Sequence, residues 1–308
     1  MPGLFARQLS PDFAECAASV RRELGGYEAL WDRKGACLKT LADIFRAHPG
    51  ALPSEFVSPS EIEGYARTAC TALAASCDTH WGVRVRGLGD YPRKLCDATH
   101  PLQLIYFRGI WELVDSPCVA IVGTRRPSAE GVRRAARLAR RLCLDGFTVV
   151  SGLARGIDTA AHEAALSAGG RTIAVLGTPL TTCYPPENRT LQQRIGAEHL
   201  LVSQVPIVRH ARQEVRANRH FFAQRTATMS ALSAATVIVE ASEISGALVQ
   251  ARHALQQGRK LFILDSCFRP ASLLWPQRLV ACGAIRVSEY EELRRQLPAS
   301  DPGALLAD

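Results

Sequence analysis

The chain has 308 residues, carries 37 Lys and Arg against 29 Asp and Glu for a formal net charge of +8, and is 47% hydrophobic. That length holds one large α/β domain and a small accessory one, and the balance of residues excludes a disordered chain. No apolar run is long enough to span a bilayer, so a membrane protein is excluded too, whereas the arginine excess favours a polyanionic partner.

The start, MPGLFARQLSPDF, lacks the apolar stretch of a secretory leader, so a cytoplasmic protein is expected. Ten cysteines, at positions 16, 37, 70, 77, 96, 118, 143, 183, 267 and 282, form no C-x-x-C pair, and no histidines gather at zinc spacing. Most are expected to be small buried hydrophobes, with no metal bound. Residues 1–80 read as a small helical domain: CAASVRREL, CLKTLADIF and EIEGYARTACTALAASC have helical periodicity, broken at Gly25-Gly26, Gly35 and HPGALPSE. Ser58 or Ser60 is expected to cap the third helix, with Glu63 completing a capping box from Ser60. Next come WGVRVRG, DYPRKLCD and LQLIYFRG, read as strand, short helix and strand, the first an edge strand because Arg84 and Arg86 alternate with Val83 and Val85.

From Cys118 to Gly177 the runs VAIVG, TVVSG and TIAVLG alternate with two amphipathic helices, Ser128 to about Leu144 and Asp158 to Ala168. Consecutive apolar positions are the mark of parallel strands buried on both faces, so the unit is β-α-β-α-β in a doubly wound α/β sheet. Each strand ends in small residues, Gly123-Thr124, Ser151-Gly152 and Gly177-Thr178, which leave room for a ligand in the crevice beyond the carboxyl ends. Beyond Gly123 the segment Thr124-Arg125-Arg126-Pro127-Ser128 joins a hydroxyl, two guanidinium groups and a helix N-terminus, a combination suited to phosphate.

After Gly177, Tyr184-Pro185-Pro186-Glu187-Asn188 is a rigid loop or a crevice rim, with Asn188 expected to cap the following helix. HLLVS is the next strand. Residues 205–225 hold Arg209, Arg212, Arg216, Arg219 and Arg225 against Glu214, with His210, His220, Phe221 and Phe222 interleaved, either a solvated face or a nucleic-acid contact. ATVIVEA then ends at Glu240, which either pairs with a nearby Arg or meets the ligand. SGALVQARHALQQG is a helix, KLFILD a strand, and helices at 275–282 and 289–296 flank a last strand, GAIRV. Residues 297–308 read as a flexible tail.

Several chemistries are missing their signatures. There is no G-x-G-x-x-G with a following acid for a dinucleotide, no Walker A and no G-x-S-x-G elbow. Asp158 and His162 share a helix face at i, i+4, as a base or ligand pair or as a capping Asp beside a hydrogen-bonded His.

The ordered set VAIVGTRRPSAEG, TVVSGLARGIDTAAHEAAL, TIAVLG, YPPEN, VIVEA and SGALVQA resembles the DNA-processing protein A (DprA, or Smf) family, over residues 81–265. The resemblance implies a mainly parallel Rossmann-like domain over 81–296 that binds single-stranded DNA, dimerises and helps load a RecA-type recombinase during transformation. It implies a non-enzymatic role and no cofactor. The family's G-[ST]-R falls on Gly123, Thr124 and Arg125, and its SGLARGID on Ser151–Asp158. Its F-P-x-R-N-R reads Phe222–Ala227 here, keeping Arg225 but with Ala227 in place of the second Arg. Ser203-Gln204, Ser245–Ala251 and Leu264–Ser266 also depart from the family pattern, and a C-terminal winged helix is not expected. The candidate phosphate-binding set is Gly123, Thr124, Arg125, Ser151, Gly152, Arg155, Gly156, Gly177, Asn188, Arg225, Glu240, Ser245 and Gly246, with Phe221 or Phe222 as a stacking platform. The altered groove motifs keep open a nucleotide-sensing module acting with a separate effector in defence or signalling. A nucleotide hydrolase is the weaker alternative, since its P-G-G-x-G-T-x-x-E motif is absent.

Overall fold

The computed structural model describes residues 11–76, 81–96, 98 and 100–300. Three helices come first: α1 (Pro11–Asp32), α2 (Leu38–Ala47) and α3 (Pro59–Ser76). Gly25-Gly26 does not break α1. A Cβ at Gly25 would lie 2.2 Å from Ile62 O and one at Gly26 2.6 Å from Ser54 N, so the pair is where α3 and the preceding turn press against a continuous helix. The box at α3 is Ser58 with Glu61, each accepting from the other's backbone N–H (3.4 and 3.3 Å), while Glu63 is drawn away by Arg21 at 2.7 Å. These helices share one apolar cluster with the sheet, in which Leu24, Tyr27 and Trp31 pack with Val83, Tyr106, Leu176 and Phe221.

The sheet has nine strands: β1 (Trp81–Val85), β2 (Leu104–Gly109), β3 (Cys118–Gly123), β4 (Thr148–Ser151), β5 (Thr172–Leu176), β6 (Leu200–Ser203), β7 (Ala235–Glu240), β8 (Lys260–Leu264) and β9 (Ile285–Val287). Their order is β1-β2-β6-β5-β4-β3-β7-β8-β9. β1 and β2 are antiparallel additions to a parallel remainder. β1 is the edge strand expected, with Val83 and Val85 inward and the Arg84 guanidinium 4.7 Å from the Phe107 ring centre. The segment expected as a short helix before β2 is a single turn, Arg93–Leu95. Alternate residues of β3 enter different cores: Ala120 and Val122 on one face, Val119 and Ile121 on the other. The fold is thus Rossmann-like, with helices α4 (Ala129–Leu144), α5 (Ile157–Ser167), α6 (Arg189–Glu198), α7 (Ile207–Arg212), α8 (His220–Leu232), α9 (Ala247–Gln256), α10 (Trp275–Ala281) and α11 (Tyr290–Arg294).

Strand order reverses between β3 and β7, one leading to β4 and β5 and the other to β8, and the register between them shifts at Val122/Gly123. β5, β4, β3 and β7 are adjacent and parallel, so Gly177, Gly152, Gly123 and Glu240 stand along one sheet edge, as expected. The chain remains packed past residue 296: Leu297 is buried in the third core and Ser300 Oγ donates to Asp145 O at 2.5 Å. Only Cys118, Cys143 and Cys267 are buried among the eight cysteines whose side chains are described, fewer than expected, because the others sit on helix surfaces and loops; Cys16 and Cys77 lie outside the described side chains. Among the described residues no helix is long and apolar enough to cross a membrane.

Candidate functional site

At the β3/β7 switch point lies a cavity of about 470 Å³. Its walls are the loop Gly123–Arg126, one face of α8 (Phe222, Arg225, Thr226, Met229), the loop and first turn around Ser245, Gly246 and Gln250, and Asp158. Doubly wound sheets bind ligands at this place because strand ends and helix starts splay apart there. Thr124 N donates to Glu240 O at 2.7 Å, which anchors the arginine loop to the neighbouring strand.

Arg225 is the buried cation of the site, only 8% exposed. Its Nη1 donates to Gly152 O and stands 3.5 Å from Val175 O, while its Nε has no partner. Burial lowers its pKa, Asp158 works against that shift, and the positive charge of Arg125 adds to it. The two guanidinium groups therefore repel each other across the cavity. Asp158 is buried as well, its pKa raised by burial and pulled back first by Arg225. Its Oδ2 accepts from Gly152 N (3.2 Å) and Ala154 N (3.3 Å), fixing the turn after β4. His162 does not join it: the imidazole is fully buried, bonds Thr172 Oγ1 at 2.7 Å, and has its pKa pushed down to about 3 by burial. The base or ligand pair does not form; of the alternative the hydrogen-bonded His is seen, whereas Asp158 lies inside the first turn of α5 and accepts from the loop before it.

Arg125 is exposed and lies 5.9 Å from the Phe222 ring centre, and Tyr184 meets the same ring edge-on at 5.3 Å. Gly177 makes room for it, since a Cβ there would lie 2.5 Å from the Phe222 ring. Phe221, the alternative platform, is fully buried against Trp31 and so has no face for a base.

The other candidates divide. Gly123, Thr124, Arg125, Arg225, Ser245 and Gly246 line the cavity. Gly152 lies behind Arg225, with a Cβ position 2.0 Å from Nη1. Gly156, at φ 82°, brings the start of α5 onto the Thr124 carbonyl. Ser151 is fully buried and donates to Ile121 O at 2.7 Å, tying β4 to β3 rather than facing a ligand. Arg155 is exposed and paired with Glu187, outside the cavity wall. Asn188 does not cap α6 with its side chain; its Nδ2 donates to Leu153 O and Thr159 Oγ1, both at 2.9 Å, bracing the turn after β4.

Glu240 corrects the expected phosphate geometry most. Its carboxylate accepts from Ser128 N at 2.9 Å and from Ser128 Oγ at 2.7 Å, while Ser128 Oγ in turn accepts from Gly131 N at 3.0 Å. The N-terminus of α4 is thus occupied by a side chain of the protein itself. The partner of Glu240 is Ser128, not an arginine, and Arg125 gets no help from that helix end.

The sequence reading passed over several wall residues. Asp158, Thr226 and Gln250 stand in motifs singled out for other reasons, whereas Met229, Ser242 and Ile244 carry no sequence signal. Gln250, 1% exposed and 3.2 Å from Thr236 Oγ1, is a buried brace in the wall. Ala227, where the family carries a second Arg, is not part of the wall; its carbonyl accepts from Gln257 at 3.1 Å. Of the arginine-rich stretch, Arg209 and Arg212 are tied to α1, through the Trp31 carbonyl and Asp32, so two of its five arginines pack against the N-terminal helices.

Comparison with known proteins agrees with this architecture. The family described as DNA recombination-mediator protein A matches residues 83–298. DNA processing protein DprA of Bacillus subtilis (strain 168) is 32% identical over 209 residues, 68% of this chain and 68% of that protein. Protein Smf of Synechocystis is 41% identical over 181 residues, covering 58% of this chain and 44% of that relative, so the chain spans less than half of it. The X-ray structure of DNA processing protein A from Streptococcus pneumoniae superposes with a TM-score of 0.64 at 25% identity, covering 92% of this chain and 95% of that one. A Helicobacter pylori DNA processing protein A, whose structure concerns its single-stranded DNA binding mode, gives 0.60 at 27% identity over 72% of this chain and 99% of that one. By the family match over more than two thirds of its length and the shared fold, the chain belongs to the DNA recombination-mediator protein A family.

Proposed function

We propose that the chain is a DNA-processing protein that binds single-stranded DNA in the switch-point cavity and catalyses no reaction. The observation that carries this reading is the buried Arg225, whose Nε has no partner, facing a second guanidinium, that of Arg125. A guanidinium carries five N–H donors. A phosphate between the two would satisfy the free donors and cancel their repulsion, through charge-assisted bonds. Phe222 and Tyr184 then offer a rim on which a base can stack without regard to its identity. The single-strand binding of the Helicobacter pylori relative supports the same assignment. In this reading the protein works in the cytoplasm as a homodimer and hands its strand to a RecA-type recombinase during transformation.

A second reading rests on the size of the cavity. About 470 Å³ is within the usual range for a small-molecule site, so a mononucleotide sensed for a separate effector also fits. Titration of labelled oligothymidylate beside a labelled mononucleotide separates the two. Single strands are expected to bind with log affinity falling against log salt by about 0.7 per phosphate neutralised. Arg125→Ala should weaken binding and flatten that slope by about 0.7, while Arg140→Ala, on the outer face of α4, should do neither. Binding of the mononucleotide alone transfers the site to the second reading.

A further inference from the structure

The switch-point cavity does not end at its own wall. Thr124, Arg126 and Ser242 also line a second cavity of about 430 Å³, on the β8 side of the switch point. That cavity in turn shares Arg134, Ser266 and Arg269 with a third, of about 290 Å³, which reaches Arg137 along α4. Three hollows thus lie side by side along the carboxyl edge of the sheet, with arginine shared at each junction.

These arginines are weakly engaged. Among the described residues Arg126 and Arg137 make no ion pair or side-chain hydrogen bond, Arg134 stands 3.7 Å from Glu130, and Arg269 stands 3.6 Å from Asp265. The one acid facing the second cavity, Glu240, is already bonded to Ser128. At the junction of the second and third hollows, Ser266 Oγ is shielded from solvent and has no hydrogen-bond partner. A hydroxyl left so wants an acceptor, and guanidinium groups beside it select an anionic one. The third hollow is less cationic than the second, because Asp265 lines it between Arg269 and Arg286, Glu291 pairs there with Arg141, and Glu289 lies nearby. The useful length of the groove therefore stops near Arg137.

We propose that a single DNA strand seated in the switch-point cavity leaves it past Arg126 and continues along this groove, where Arg134, Arg137, Arg269 and the Ser266 hydroxyl take its next phosphates. The inference rests on the proposed function and names the path of the strand beyond that site. Spaced cations along one groove suit a flexible polyanion, whose phosphates can each settle on a different arginine. A compact anion would use only one of them.

The test compares a labelled oligothymidylate of about 5 nucleotides with one of about 20, lengths that bracket common single-strand site sizes. The triple variant Arg134→Ala, Arg137→Ala, Arg269→Ala should bind the short strand as the parent does. It should bind the long one about tenfold or more weakly, with a salt slope flatter by about 2, three contacts at about 0.7 each. Because Arg134 is partly buried, Arg269→Glu alone is measured beside it; this exposed side chain can be reversed without touching the core. Equal binding of the long strand by parent, triple variant and Arg269→Glu would overturn the groove. So would an equal loss on both lengths, since the residues would then belong to the central site. Arg125→Ala distinguishes the two layers: if it weakens both strands while the groove variants do nothing, only the path is wrong. If it leaves both unchanged, the central site is wrong and the path falls with it.

Discussion

Replacing Arg225 by Met should nearly preserve the fold and abolish most of the binding. The guanidinium holds one close bond, to Gly152 O, and a hydrogen bond to a charged group contributes about 1.5–3 kcal/mol. Against that stands the desolvation of a charge that is 8% exposed, which costs several kcal/mol and is the main cause of its lowered pKa. Asp158 would lose its nearest counter-charge but keep the N–H groups of Gly152 and Ala154. These terms oppose one another, and because Asp158 keeps its two N–H partners the loss of stability should stay below the about 3–5 kcal/mol of stripping a buried charge of its only partner. Binding has no such compensation, because the phosphate loses its buried partner. A loss of about 1.5–3 kcal/mol corresponds to about ten- to 150-fold in affinity at low salt. Arg225→Lys, which keeps the charge but not the planar fork, should fall between. Urea unfolding followed by tryptophan fluorescence reads the first quantity and anisotropy of a labelled oligonucleotide the second. An Arg225→Met protein that is destabilised by more than about 3 kcal/mol yet binds normally would mean that this arginine is structural and the assignment mistaken.

Three further outcomes follow from particular contacts. Gly152→Ala places a Cβ 2.0 Å from Arg225 Nη1; since the flexible end of that side chain must move, affinity should drop several-fold with charge unaltered, as anisotropy will record. Glu28 is fully buried in α1 and accepts from Tyr106 OH (2.6 Å), Ile207 N (2.8 Å) and Val208 N (3.0 Å), so Glu28→Ala orphans three donors and should cost more than about 3 kcal/mol in urea unfolding. His162 has a folded pKa of about 3, below its unfolded value of about 6.5, so it stays neutral in the fold while the unfolded chain takes up a proton. Stability from this group is complete above about pH 6.5 and lost as pH falls toward 3, by on the order of a few kcal/mol, and His162→Gln should flatten that part of the pH profile.

The legible parts of the chain were those where periodicity and function agree. VAIVG, TVVSG, TIAVLG and ATVIVEA are apolar on consecutive positions because both faces are covered, and their alternation with amphipathic helices points to parallel strands. α8 was missed although it forms a cavity wall. Thr226, Thr228 and Ser230 are buried in it as deeply as Met229 and Leu232, so polar and apolar residues do not separate into faces. Gly25-Gly26 looked like a helix break because a sequence cannot distinguish a glycine used for close packing from one used for a turn. The set of site residues was partly legible for a similar reason. Small residues at strand ends mark the crevice, but they do not say which polar neighbours turn inward: Ser151 and Asn188 hold the backbone, whereas Thr226 and Asp158 face the cavity.

In dinucleotide-binding sheets of this winding, the start of the helix after the first strand takes the pyrophosphate. In this chain that helix is α4, and the carboxylate of Glu240 reaches across from β7 to Ser128 N and Oγ. A phosphate placed there would meet a like charge at about 4 Å, a repulsion of about 4 kcal/mol at an effective dielectric near 20, more than the helix end contributes in return. In the proposed reading the central phosphate site therefore lies on the α8 side of the switch point, where Arg225 is buried with its Nε unpartnered and Arg125 stands over Phe222. That displacement also accounts for the missing G-x-G-x-x-G: no pyrophosphate has to approach the turn after β3, so Thr124 and two arginines can stand where such a ligand would demand glycine. One acid at the end of β7 thus links the absence of a dinucleotide signature to the presence of a cationic cavity on the opposite side of the same strand ends.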